Sequence, residues 1–285
     1  MMKKQKFSST DFGANNLPST RKELFFDILK HKYKTLLLLG FVLFLFLLPQ
    51  FISNYIFTNL INRILNDQSL IADGVLNDQG IAAYNSGIVI YGCCHLLTFF
   101  IFFVGLSGAI RIIKLLAFNE GILFWDDFWI GIKQNFKQFS ILSLILSGSL
   151  FLFNITRIIG NPILNGIIYG ITFGLIIPFV FIAVVYSSVY SISTIKMLAN
   201  SFALYIKNFV FLLLVPLFVL IYLTIDLIPL LFIAYLVKAI FIIFAAPILL
   251  IGLYLAILNS FDKFINEISH KELLNKGLYK KEINK

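Results

Sequence analysis

Charge is what this sequence has least of. Only 13% of its 285 residues are charged, while 59% are hydrophobic and the mean hydropathy is +0.92. That is too little polar surface to cover a soluble globule of this size, which excludes a soluble domain. Negative charge is the scarcer sign, with 14 acidic residues against 23 Lys and Arg and a net charge of +9. In so apolar a chain a basic excess is read as orienting helices and attracting anionic lipid rather than as binding nucleic acid. Cysteine is limited to the adjacent pair Cys93 and Cys94. Neighbours within one helix cannot close an ordinary bridge or complete a four-ligand metal site, so no disulfide framework and no metal centre is implied. Missing too are GxSxG, HExxH, a Walker lysine loop, a dinucleotide GxGxxG and paired membrane aspartates, and no Asp or Glu lies deep in an apolar run. These absences argue against an enzyme and against a bound cofactor.

What is present is a series of apolar runs long enough to cross hydrocarbon, where about 20 residues are needed for a helix that satisfies its own backbone. Six are expected, near Thr35 to Ile61, Ile88 to Ile110, Phe139 to Ile155, Ile163 to Val189, Phe209 to Ile225 and Ala239 to Leu258. The sixth starts after Lys238, because a lysine is costly in lipid and is better placed in a short external piece. The first is an uncleaved span, since no small-residue cleavage site interrupts it before Ile61. The expected fold is therefore an all-α polytopic helix bundle. A basic segment covers residues 1–34, the membrane domain 35–258 and a tail 259–285.

Lys and Arg divide sharply between the two faces of this arrangement. Twenty fall on the side of both termini, and only Arg63, Arg157 and Lys238 on the other, which places both ends in the cytoplasm of a multi-pass cell-membrane protein. The external loop from Asn62 to Gly87 is acidic and amide-rich, as expected of a solvated cap too short to fold alone.

Residues Asn119 to Phe139 read "NEGILFWDDFWIGIKQNFKQF" and contain both tryptophans of the chain. Trp125, Phe128, Trp129, Ile132, Phe136 and Phe139 recur at helical spacing, with Asp126, Asp127, Lys133 and Lys137 on the remaining circumference. An interfacial amphipathic helix over about 122–138 is expected, lying on the cytoplasmic surface as an elbow between spans. Its sharper role is a docking surface for a partner, carried by Trp125, Asp127, Trp129, Phe136 and Lys137.

Gly166, Gly170 and Gly174 form GxxxGxxxG, a face on which another helix can approach closely, within the chain or in a homodimer. Packing inside the chain is the default, with Gly105 and Ala109 as a complementary small-residue face. Pro49, Pro178, Pro216 and Pro247 fall inside spans and are expected to kink them. His95, beside the two cysteines, is the single polar candidate inside the membrane and is expected to be hydrogen-bonded between helices.

The stretch "EGILFWDDFWIGIKQNFKQFSIL", six spans with inward termini, and the closing "FDKFINEISHKELLNKGLY" together resemble the YesL-like family of bacterial integral membrane proteins. The resemblance rests on Glu120, Gly121, Phe128, Asn135, Phe136, Lys137 and the tail from Asp262 to Tyr279. It implies association with carbohydrate-uptake systems without catalytic residues. The expected function is a non-catalytic accessory or assembly component of a transport system, partnered by its subunits. The alternative is a small permease with a solute site between kinked helices. As a subunit of an ATP-driven importer, the chain lacks the EAA-Gly docking pattern in "KMLANSFALYIKN".

Overall fold

The computed structural model describes residues 17–72, 74–208, 214–228 and 230–279. These residues are helical apart from one small hairpin, and among them five helices are long and apolar enough to cross a membrane: Tyr33–Asn66, Asp78–Ala117, Phe124–Ile159, Pro162–Val189 and Leu231–Ser269. In chain order, α1 (Arg21–His31) and α2 (Tyr33–Asn66) lead to strands β1 (Ile71–Ala72) and β2 (Val75–Leu76), then α3 (Asp78–Ala117) and α4 (Phe124–Ile159). There follow α5 (Pro162–Ile171), α6 (Ile177–Val189), α7 (Thr194–Lys207), α8 (Leu214–Thr224), α9 (Leu231–Ile240), α10 (Ala246–Phe261) and α11 (Glu267–Ser269). Of the run expected at Phe209 to Ile225, residues 209–213 lie outside the described set. The rest forms the 11-residue α8, and Pro216 lies outside the described side chains.

The ends of the helices are written in the local sequence. Asn77 caps α3 by accepting from the Gly80 amide at 2.8 Å, and Asn161 caps α5 ahead of Pro162. Asp67 stops α2 by accepting from Ser69 N at 2.9 Å, and Gly160 ends α4 in the left-handed region at φ 71°. Between α2 and α3 the chain turns at Gly74, φ 79°, and β1 pairs antiparallel with β2 through Ile71–Leu76 and Ala72–Val75.

Two of the expected proline kinks take a specific form. A wide π turn, Thr172–Ile176, precedes Pro178, and another, Phe241–Ala245, precedes Pro247. Each proline lacks the amide that would bond to the carbonyl four residues earlier, and its ring crowds that carbonyl. At Pro178 this is the Gly174 carbonyl, which accepts instead from the Tyr205 hydroxyl of α7. At Pro247 it is the Ile243 carbonyl, which faces Gly40 of α2 so closely that a Cβ on Gly40 would lie 2.0 Å away.

The core centres on the last third of α3. Ser107, Ala109, Ile110, Ile112, Ile113, Leu116 and Ala117 are buried and packed against α2, α4, α6 and α10. α3 and α4 also cross closely: a Cβ on Gly131 would meet Arg111 Cβ at 2.7 Å and Gly108 Cα at 3.0 Å. Gly105 is filled by Phe46 of α2, with its hypothetical Cβ 2.3 Å from the ring.

Three expectations change. Residues 122–138 form no separate elbow: from Phe124 they are the first half of α4, which runs unbroken to Ile159 because the whole stretch lacks a proline and its buried side packs along α3. A Cβ at Gly166, Gly170 or Gly174 would have no neighbour within 4 Å, so the face the three glycines share carries no close helix crossing among the described residues. Gly105 and Ala109 therefore complement other helices. No break in the helix separates Lys238 from the expected sixth span. Lys238 lies on α9, inside the continuous helical segment Leu231–Ser269, and is buried at 3% exposure.

Candidate functional site

The first half of α4 separates cleanly into a buried side and an exposed one. Phe128, Ile132 and Phe139 are buried. Phe128 fills the space beside Gly108, where a Cβ would lie 2.7 Å from its ring. On the other side Trp125 and Trp129 are 54% and 53% exposed, and Phe136 and Lys137 are exposed as well. The two indoles meet Phe128 edge-on at 6.5 and 6.0 Å, and Phe136 meets Phe100 of α3 perpendicularly at 5.9 Å. The aromatic row is thus mounted on core residues rather than loosely attached.

Asp127, one of the expected docking residues, is committed inside the chain. Its Oδ1 pairs with Arg111 Nη2 at 3.2 Å, and its Oδ2 accepts from the Leu123 amide at 2.8 Å, satisfying a donor at the start of α4. Arg111 also donates to Gln134 Oε1 at 2.8 Å. This charged clamp staples the start of α4 to the end of α3.

His95 belongs to a polar network that joins α2 to α3 midway along both. Gln50 Nε2 donates to Asn54 Oδ1 at 2.8 Å and to His95 Nε2 at 2.6 Å, and Tyr91 OH donates to Asn54 Oδ1 at 2.7 Å. The Thr98 hydroxyl donates to Gln50 Oε1. With Nε2 accepting, the imidazole carries its proton on Nδ1, and Nδ1 is buried without a hydrogen-bond partner among the described residues. Phe57 stacks on Tyr91 at 3.9 Å, and Tyr91 lies 4.0 Å from the imidazole, shielding the network from one side. Cys93 is exposed and Cys94 partly so, both as free thiols.

A second polar group lies across α2. Lys238 Nζ sits 4.9 Å from the Tyr222 ring and 5.9 Å from that of Tyr235. Tyr235 in turn contacts Phe51 and Tyr55 of α2 at 5.8 and 6.3 Å. Aromatic faces are the usual way to hold a cation out of water. One side of α2, through Gln50 and Asn54, meets a histidine, and the adjacent side, through Phe51 and Tyr55, meets the tyrosine beside a lysine.

The tail is a structural part of the bundle. Arg21 Nη2 pairs with Asp262 Oδ2 at 2.9 Å, side chains 10% and 9% exposed, and Arg21 Nη1 donates to the Lys276 carbonyl at 2.8 Å. Asp262 Oδ1 also accepts from Asn266 Nδ2, and Asn266 Oδ1 accepts from Tyr190 OH at 2.6 Å. Burial, with the Tyr186 hydroxyl and Asp262 carboxylate nearby, pushes ionisation of the Tyr190 phenol well above its usual range, so it serves as a neutral donor. Gly277, φ 87°, passes over the end of α3, where a Cβ would meet the Ala117 carbonyl at 2.3 Å. Lys276 pairs with Glu120 at 2.9 Å.

Among the described residues no three His, Cys, Asp or Glu side chains gather as a metal site would require. Comparison with protein-family models, with curated proteins and with solved structures returns no match. Sequence reasoning found His95 but missed Gln50, Asn54, Tyr91 and Thr98. Their signal is nonetheless present: Gln50 and Asn54 stand four apart just after Pro49, and Tyr91, His95 and Thr98 share one face of α3.

Proposed function

We propose that the protein is a non-catalytic accessory or assembly component of a bacterial transport system, a member of the YesL-like group that grips a partner subunit through α4. It crosses the cell membrane six times with both termini in the cytoplasm, and its basic cytoplasmic face holds anionic lipid. The observation that carries the reading is the row Trp125, Trp129 and Phe136, exposed on a helix whose opposite side is fixed by Phe128, Ile132 and the Asp127–Arg111 clamp. Rigid exposed aromatics are the side chains that most often dominate protein interfaces, because little conformational freedom is lost when they are covered. A photo-crosslinking side chain at position 129, activated in native membranes, is expected to capture one protein in defined stoichiometry. Crosslinks to lipid alone contradict the reading.

A second reading, a small permease, is favoured by the paired polar groups on either side of α2, His95 and Lys238. Ionisable groups inside a bundle are costly in lipid and commonly mark solute or proton paths. Proteoliposomes of the isolated protein separate the two: uptake abolished by His95→Ala supports a permease, and absence of uptake across a solute panel supports the accessory role.

A further inference from the structure

A cavity of about 840 Å³ lies at the basic end of the last long helix, between α1 and α10. Arg21 and Lys22 contribute from the first turn of α1, and Asn259, Ser260 and Lys263 from the facing turn. None of its lining residues is acidic, and neither Lys22 nor Lys263 pairs with a carboxylate among the described residues. Arg21 is held by Asp262 and the Lys276 carbonyl, yet its Nε, buried, has no hydrogen-bond partner among the described residues.

The rest of the lining combines polar side chains, Ser19, Thr20, Asn208 and Asn275, with an apolar wall. Phe25, Leu255 and Phe264 form it, and Gly252 keeps it open, since a Cβ there would already touch the Phe25 ring at 3.4 Å. Lys263 and Lys207 place their ammonium groups 5.2 and 5.7 Å from the Phe264 ring, adding a second cation beside the cavity. Cationic and hydroxyl or amide groups thus stand next to an apolar wall continuous with a helix apolar enough to span a membrane. Arg and Lys with convergent hydroxyl and amide donors suit phosphate oxygens, and the apolar wall suits the chain of an amphiphile.

We infer that this cavity binds a phosphate ester, the phosphate group of an anionic phospholipid or a soluble molecule carrying the same group. The assignment does not depend on whether α4 docks a partner. The test uses the full chain purified in mild detergent, with phosphatidylglycerol, phosphatidylcholine and glycerol 3-phosphate as probes and native mass spectrometry as readout. Wild-type protein is expected to retain phosphatidylglycerol in preference to phosphatidylcholine. Lys22→Gln with Lys263→Gln is expected to weaken that retention by about thirtyfold, roughly fivefold for each near-surface lysine. Gly252→Phe, which fills the cavity without changing charge, is expected to remove it as well. Lys133→Gln with Arg157→Gln, an equal charge change on α4, is expected to leave it intact. Binding of glycerol 3-phosphate by itself, lost in the same cavity variants, assigns the soluble ester as occupant. Its failure to bind while phosphatidylglycerol does assigns the lipid. Retention of phosphatidylglycerol that is unchanged in both cavity variants, or reduced equally by the α4 pair, overturns the site.

Discussion

At the residue scale, three kinds of contact hold the bundle, and each predicts a different response to substitution. Gly108 and Gly131 are required by proximity: any side chain at Gly131 collides with Arg111 and the α3 backbone. Gly131→Val is expected to lower stability by on the order of 1–3 kcal/mol through overpacking, measured as a lower apparent melting temperature in detergent. Gly170→Val, on a face open among the described residues, is expected to leave that temperature within a degree or two of wild type, as for surface substitutions of about ±0.5 kcal/mol. The Arg21–Asp262 pair is nine-tenths buried. Removing one partner strands a charge, so Asp262→Ala is expected to cost about 3–5 kcal/mol, whereas Arg21→Met combined with Asp262→Leu is expected to cost clearly less. Equal losses in the single and double variants contradict that account. In the α2–α3 network, Gln50→Leu removes one hydrogen bond each from Asn54, His95 and Thr98, while Asn54 keeps Tyr91 and Thr98 keeps the His95 carbonyl. It is expected to cost more than His95→Ala, with about 1–3 kcal/mol for each polar group left unsatisfied.

At the scale of elements, the surprises come from what neighbouring helices do to a locally correct pattern. The stretch from Trp125 to Phe139 is helical as its spacing implies, but the six apolar residues that the sequence groups on one face divide into buried Phe128, Ile132 and Phe139 and exposed Trp125, Trp129 and Phe136. Sequence alone does not reveal that α3 runs alongside to Ala117, so that the stretch packs along it as part of one long α4. At 40 residues α3 is about 60 Å long, roughly twice the ~30 Å hydrocarbon thickness, and the α3–α4 hairpin extends beyond any bilayer it crosses. Pro178 and Pro247 are legible as disruptions. Their resolution into π turns answered by Tyr205 and Gly40 is not, because those partners are remote in sequence. GxxxGxxxG states that a close approach is sterically allowed, and no described residue of the same chain makes it. The tail is the other element whose role changes. The Gly277 crossing and the links from Arg21 and Glu120 to the tail make residues 270–279 part of the fold. Truncation after Ser269 is expected to expose Ala117 and Phe118 and to yield protein that aggregates on detergent extraction. A truncated form with an unchanged elution profile and melting temperature contradicts this role.

At the scale of the whole molecule, composition and charge settle the class early. An all-helical membrane bundle follows from hydropathy, because backbone satisfaction in hydrocarbon permits few alternatives; hydropathy reads six spans, and five helices among the described residues are long and apolar enough to cross a membrane. Lys238 is the exception: hydropathy places a lysine outside the span, whereas Tyr222 and Tyr235 provide it a buried site that no local window contains. The candidate surfaces divide likewise. Trp125, Trp129 and Phe136 are exposed as the helical pattern implies. Asp127 belongs to the clamp on Arg111, and the polar network is read from one of its five members. The functional account stands on the exposed row, and its most direct test is purification of tagged protein from native membranes in gentle detergent, comparing wild type with Trp125→Ala, Trp129→Ala and Phe136→Ala combined. The account predicts a stoichiometric partner with the wild type, lost in a triple variant whose own melting temperature is nearly unchanged. Wild-type protein that purifies alone, or a partner retained by a folded triple variant, contradicts it.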